Sequence, residues 1–327
     1  MKYLMVLQHG AMDEYLYKDI LEQDNVREFK VSAPDCNKIL YKIRRVHTST
    51  IATKYFEPPL KEIWYKRKLT REVDNETYVV FQMAAMIHVG MKTLRSLKKR
   101  YPGARLVLLL VDSIEAHSFS MKYAKRFIFG FDWDLILSFD KKDCDKYGFT
   151  YLGYSYYSKL ETDCDTGIVS DLYYIGAIKD EDSRGPLLDD IYKKCIAGGA
   201  LCDFTLLSPN KDQNIDNGIK IINKGIPYKE VISQLTSSNC ILELLQSGQN
   251  NQTARYMEAV CYNKKLLTNN KNVKALPFYD ERYIKIFSTA EDIDVEWLKD
   301  RATVDYGYQG EFSPLKIIEI IQNAFNQ

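Results

Sequence analysis

What most limits the folds open to this chain is a recurring pattern of short apolar runs, each bounded by polar or turn residues and separated by stretches with helical spacing. The runs are KYLMVL (2–7), REFKVS (27–32), RLVLLLV (105–111), DLILSF (134–139) and FTYLGY (149–154), then LYYIGAI (172–178), LCDFTLL (201–207), CILELL (240–245), KKLLT (264–268) and YIKIF (283–287). Runs of this length read as buried strands. Residues 75–101 are rich in helix formers and read as one helix, with Asn75 as its N-cap and the Tyr-Pro-Gly at 101–103 as its stop. Further helices are predicted at about 186–197, 228–236, 252–262 and 293–299. The final segment, SPLKIIEIIQNAFN, has Ser313 as N-cap, Pro314 at the first helical position and positions 315, 318, 321 and 325 on one apolar stripe. Strand and helix alternate, which predicts an α/β chain with mostly parallel sheets.

At 327 residues the chain is about twice the length of a single domain of roughly 150. The polar, aperiodic stretch 155–171 is the natural boundary. It predicts a domain over 1–160, a second over 171–310, and a C-terminal helix in 313–327 that packs back on the first. The expected architecture is two Rossmann-like, doubly wound parallel-sheet domains facing across a cleft, where helix N-termini and loops converge. Hydrophobic residues at 46% and charged residues at 27% exclude a disordered chain. The longest apolar runs fall far short of the roughly 20 residues that cross a bilayer, and the N-terminal apolar stretch is too short for a signal-peptide core. A cytoplasmic location is therefore expected. Seven scattered cysteines without a CxxC pair predict reduced thiols and no zinc site.

One stretch, SGQNNQTARYMEA at 247–259, carries the most chemistry. It follows the strand CILELL and opens into a helix, so unpaired first-turn amides and the helix dipole present a positive site suited to phosphate oxygens. Gly248 allows close backbone approach, and Asn250 or Asn251 can cap. Arg255 would add a fork of donors to a diphosphate, and Glu258, on the same face, would accept from ribose hydroxyls. The plainer alternative is a solvated ion pair behind an ordinary turn.

The segments YYIGAIKDEDSRGPLLDDIYKKC and IPYKEVISQLTSSNCILELLQSGQNNQTARYMEAVCYNKKLLTNN resemble the C-terminal domain of GT-B-fold glycosyltransferases, most of all bacterial enzymes of lipopolysaccharide, capsule and exopolysaccharide synthesis. In the first half, LKKRYPGARLVLLLVD and FDWDLILSFDKKDCDKYGFTYLGYSYY are also similar to that group. The resemblance implies a nucleotide-sugar donor on the second domain, with UDP-sugar the expected co-substrate and no separate cofactor. Gln249, Gln252, Thr253 and Arg255 would lie near the diphosphate and Glu258 on the ribose. It also implies that Lys179 and Arg184 neutralise the leaving diphosphate without a metal. Many retaining members carry an acid eight positions before this glutamate; here that position is Asn250.

Tyr228 precedes a predicted helix and can pack on the nucleotide base, or simply in the core. For a general base, His9 and Asp13 follow the first strand, and Asp112 and Glu115 follow RLVLLLV. His88 lies in an apolar run and reads as a core residue, while His47 and His117 carry no motif. From Lys38 to Arg71 ten Lys/Arg stand against Glu57 and Glu62, interleaved with aromatics, a pattern suited to an anionic membrane surface or to a solvated face. The net charge of +1 argues against a nucleic-acid partner.

The expected protein is thus a metal-independent, membrane-peripheral glycosyltransferase acting on a saccharide or lipid-linked acceptor. A GT-B nucleotide-sugar epimerase and a non-catalytic nucleotide-sugar-binding subunit are the alternatives.

Overall fold

A computed structural model describes residues 1–8, 13–34, 36–49, 52, 57–114, 119–153, 156–161, 167–177, 184–207, 218–245 and 253–326, leaving aside the side chains of 13, 14, 119–122 and 184. The chain divides into two compact units, unit 1 comprising Met1–Ser158 with Ser313–Gln327 and unit 2 comprising Lys159–Phe312.

Unit 1 is built on a sheet of β1 (Lys2–Leu7), β2 (Val26–Lys30), β3 (Thr77–Gln82), β4 (Arg105–Leu110), β5 (Leu135–Ser138) and β6 (Thr150–Tyr151), in the order β2-β1-β3-β4-β5-β6. Every pairing is parallel. Successive side chains of a strand point to opposite faces, and the core divides accordingly. Leu4, Val6, Val79, Phe81, Leu106, Leu108 and Leu110 belong to one buried layer. Tyr3, Met5, Leu7, Val80, Val107 and Leu109 belong to the other, together with Ile317 and Ile321 from the terminal helix Leu315–Phe325.

The predicted single helix over 75–101 is corrected. Its first third is β3, the strand between β1 and β4, and the rest is two helices, Met83–Val89 and Met91–Arg100. Thr-Tyr-Val-Val-Phe is β-branched and aromatic, and both sheet neighbours give it a ladder that outweighs the helix formers downstream. Asn75 caps no helix: its Oδ1 accepts from the amide of Gly103 at 3.2 Å. The two helices break at Gly90, where φ is +86° and an added Cβ would collide with the Glu57 carboxylate.

Unit 2 holds β7 (Ser170–Ala177), β8 (Cys202–Leu207), β9 (Lys220–Ile222), β10 (Ser238–Glu243), β11 (Lys265–Thr268) and β12 (Ile284–Ile286), all parallel, in the order β12-β11-β10-β7-β8-β9. β9 was not foreseen, since three residues at a sheet edge leave no periodicity to read. One face of the sheet packs Leu172, Tyr174, Phe204, Leu206, Cys240 and Leu242 against helix Arg184–Ala197 through Leu188, Ile191 and Cys195. The buried Lys265 donates to the carbonyls of Trp297 at 2.8 Å and Asp300 at 2.6 Å, and Asn239 donates to those of Leu298 at 2.6 Å and Asp300 at 2.7 Å. Both satisfy the C-terminal end of helix Val295–Lys299, whose last carbonyls lack helical partners. No helix of the described residues is long and apolar enough to cross a membrane.

Candidate functional site

β10 is buried along its whole length between β7 and β11 and ends on Glu243. Beside it in register stands Thr268, the last residue of β11. The Thr268 hydroxyl donates to Glu243 Oε2 and the Thr253 hydroxyl to Oε1. Thr253 is the N-cap of helix Ala254–Cys261, accepting from the amide of Arg255 at 3.1 Å. The cap is therefore Thr253, not Asn250 or Asn251, because a hydroxyl fixed by a carboxylate at the strand end is already aimed at the first helical amides. Sequence reading missed Glu243, although a lone acid inside the apolar run CILELL was its available signal.

Arg255 and Glu258 lie three residues apart on that helix and are ion-paired through Glu258 Oε2. The hydroxyl of Tyr228, first residue of helix Tyr228–Thr236, donates to Glu258 Oε1 at 2.6 Å. Tyr228, Arg255 and Glu258 thus form one group, drawn from two helices and 30 residues of sequence separation. Glu258 is 0% exposed, whereas the Arg255 side chain keeps 21% of its exposure. Arg255 is the member that meets solvent, and the other two fix it. Tyr228 is only 4% exposed and its hydroxyl is occupied by Glu258.

Burial pushes the Glu258 carboxyl above its ordinary range, opposed by the Arg255 charge and the Tyr228 hydroxyl. Burial raises Glu243 in the same way, against the hydroxyls of Thr253 and Thr268. Among the described residues, one guanidinium, that of Arg255, therefore serves a corner containing two buried carboxylates.

In unit 1, Asp112 lies two residues beyond the C-terminal end of β4, half-buried, and burial raises its carboxyl. His88 is not surrounded by apolar groups alone: its Nε2 lies 3.3 Å from Gln8 Nε2 and its Nδ1 3.4 Å from Thr48 Oγ1. Burial, then the charges of Lys61 and Arg44, lower it to about 4. Asp13 opens the short helix Asp13–Leu16 and Arg184 opens helix Arg184–Ala197, but their side chains are outside the described set. His9, Glu115, His117, Lys179, Gly248, Gln249, Asn250, Asn251 and Gln252 also lie outside the described residues.

No protein-family model matches the chain. No curated protein matches it by sequence. Solved structures do match. TarM superposes with a TM-score of 0.53 at 11% identity, covering 81% of this chain and 58% of TarM. The chain thus spans little more than half of that protein. A Listeria monocytogenes protein assigned as a UDP-N-acetylglucosamine 2-epimerase gives a TM-score of 0.56 at 10% identity, over 99% of this chain and 96% of that one. The lipopolysaccharide outer core galactosyltransferase WaaB gives 0.50 at 11% identity, over 100% and 99%. With two six-stranded parallel sheets in these orders and these neighbours, the chain has the GT-B fold, two Rossmann-like units in one polypeptide.

Proposed function

We propose that the protein is a glycosyltransferase that takes a sugar from a nucleotide diphosphate, UDP-sugar in the first instance, and transfers it to a saccharide or lipid-linked acceptor in bacterial surface polysaccharide synthesis. The observation that carries this reading is the Tyr228–Glu258–Arg255 group beside the capped start of helix Ala254–Cys261, at the end of a central parallel strand. In doubly wound sheets that is where phosphorylated ligands bind. A structure of TarM in complex with UDP and an E. coli trehalose-6-phosphate structure bound with UDP-2-fluoro glucose are among the matches, at TM-scores of 0.53 and 0.50.

In this reading the exposed part of Arg255 and the first amides of its helix bind the diphosphate, with Gln249, Gln252 and Thr253 beside them. Glu258, fully buried and held by Tyr228, acts by fixing Arg255 rather than by meeting the ribose itself. Lys179 and Arg184 neutralise the departing diphosphate, so no metal is required. Asp112 is one candidate base, its raised carboxyl better matched to proton removal near neutral pH; Asp13 and His9 are the others.

A panel of UDP, GDP, CMP and ADP sugars in a thermal-shift assay tests the donor, because a ligand that binds the folded state raises its melting temperature. A rise with one sugar nucleotide, followed by nucleotide release only when an acceptor is added, supports transfer. A flat response across the panel refutes it. The 2-epimerase match favours a second reading, nucleotide-sugar epimerisation. Isomerised donor appearing without any acceptor would establish that reading instead.

A further inference from the structure

Helix Lys38–His47 in unit 1 is inverted relative to a helix that covers a soluble core. Ile39, Ile43 and Val46, spaced to form one stripe, are 72%, 50% and 71% exposed. Arg44, on another side, is buried, donates to the carbonyl of Ala33 and lies over the rings of Tyr41 and Tyr65. Alongside the apolar stripe, at the same spacing, run the exposed cations Lys38, Lys42 and Arg45, and the helix contains no acid. Trp64 Nε1 donates to His47 Nδ1 at 2.8 Å and brings a second apolar edge, exposed Leu60 and Ile63, against the helix. Ile43, Val46, His47, Leu60, Ile63 and Trp64 line one shallow apolar groove. Leu60 takes the left-handed backbone conformation, φ 59°, unusual for a leucine. On that edge Glu62 is turned toward Lys92 at 3.8 Å.

We propose that this face docks on a lipid bilayer containing anionic headgroups, with the helix lying in the interface plane. The apolar stripe would enter the boundary between headgroups and acyl chains, and Lys38, Lys42 and Arg45 would meet the lipid phosphates. An apolar stripe beside an acid-free cationic one has the charge complementarity of such a surface. A second copy of the chain fits less well, because a two-fold contact through this face would set one row of cations near its own image. The inference goes beyond the transfer reaction and stands apart from it.

The test is cosedimentation of the full chain with vesicles of phosphatidylcholine alone and of phosphatidylcholine with phosphatidylglycerol. Binding is expected only to the second, and it should weaken as salt rises. Ile43→Asp with Val46→Asp should reduce it at least tenfold, and Lys42→Glu with Arg45→Glu about as much. All four side chains are exposed, so circular dichroism and melting temperature should be unchanged. Absence of binding to either vesicle, or equal binding by the variants, overturns the proposal. So does a dimer in sedimentation velocity that Ile43→Asp dissociates, which would make a second copy the occupant. Sugar-nucleotide thermal shifts on the same variants should match the unmodified protein, so a failed donor site and a failed membrane face are told apart.

Discussion

Replacing Arg255 by Met removes the charge that faces Glu258 and leaves the carboxylate 0% exposed with the Tyr228 hydroxyl still donating to it. Breaking a buried pair by deleting one partner typically costs about 3–5 kcal/mol. The Arg255 side chain keeps 21% exposure, which lets water reach the site and places the expected loss near the low end, about 3 kcal/mol. The sign of the pH dependence follows from the direction of the Glu258 shift. Its carboxyl is raised above the ordinary 4.5 by burial, so the folded state binds that proton more readily than the unfolded chain does. The stability gained by binding that proton is fully present below 4.5 and is lost as pH rises through the raised folded value. Without Arg255 that value rises further, so the variant should lose more stability at pH 8 than at pH 5. Adding Glu258→Gln removes the orphan charge and keeps an acceptor for Tyr228, and the double variant should return to within about 1 kcal/mol of the parent. Urea unfolding by circular dichroism at both pH values, read on the unit 2 transition, measures all four corners of the cycle. A loss below about 1 kcal/mol in the single variant, or a double variant no better than the single, would refute the argument that Glu258 depends on Arg255 for its charge.

Glu243→Ala leaves the hydroxyls of Thr253 and Thr268 without their common acceptor and should cost about 2 kcal/mol, with weaker sugar-nucleotide binding in the same thermal-shift assay. Glu243→Gln should recover most of the stability. Lys265→Met strips donors from the carbonyls of Trp297 and Asp300 and should lower the melting temperature of unit 2, at a cost of about 2 kcal/mol by urea unfolding. His88, lowered to about 4 from an ordinary 6.5, favours its neutral form in the fold. Its contribution is therefore present above 6.5 and lost as pH falls toward 4. His88→Gln should remove about 3 kcal/mol of acid sensitivity in that window; equal acid sensitivity in both proteins would show that His88 is not the source.

Much of the architecture was legible because its signal is local. Runs such as Lys2–Leu7 and Arg105–Leu110 are buried from end to end apart from their first residue, so an uninterrupted apolar run was enough to mark them. The pattern failed at Thr77–Gln82, where a strand passes into helix without a turn residue between them. Arg255, Glu258 and Thr253 could be singled out together because they lie close together in sequence at the start of one helix. Their partners could not be: Tyr228 comes from a separate helix, and Glu243 and Thr268 meet only because β10 and β11 pair in one particular register. Sequence alone determined the alternation of strand and helix and the polarity of the loop-to-helix stretch, since both depend on neighbours along the chain. Tertiary structure alone decided which oxygen faces which donor, and that the Lys38–His47 helix turns its isoleucines outward. Which face of a helix is covered and which strand residues stand side by side are properties of distant segments brought together, and no local pattern encodes them.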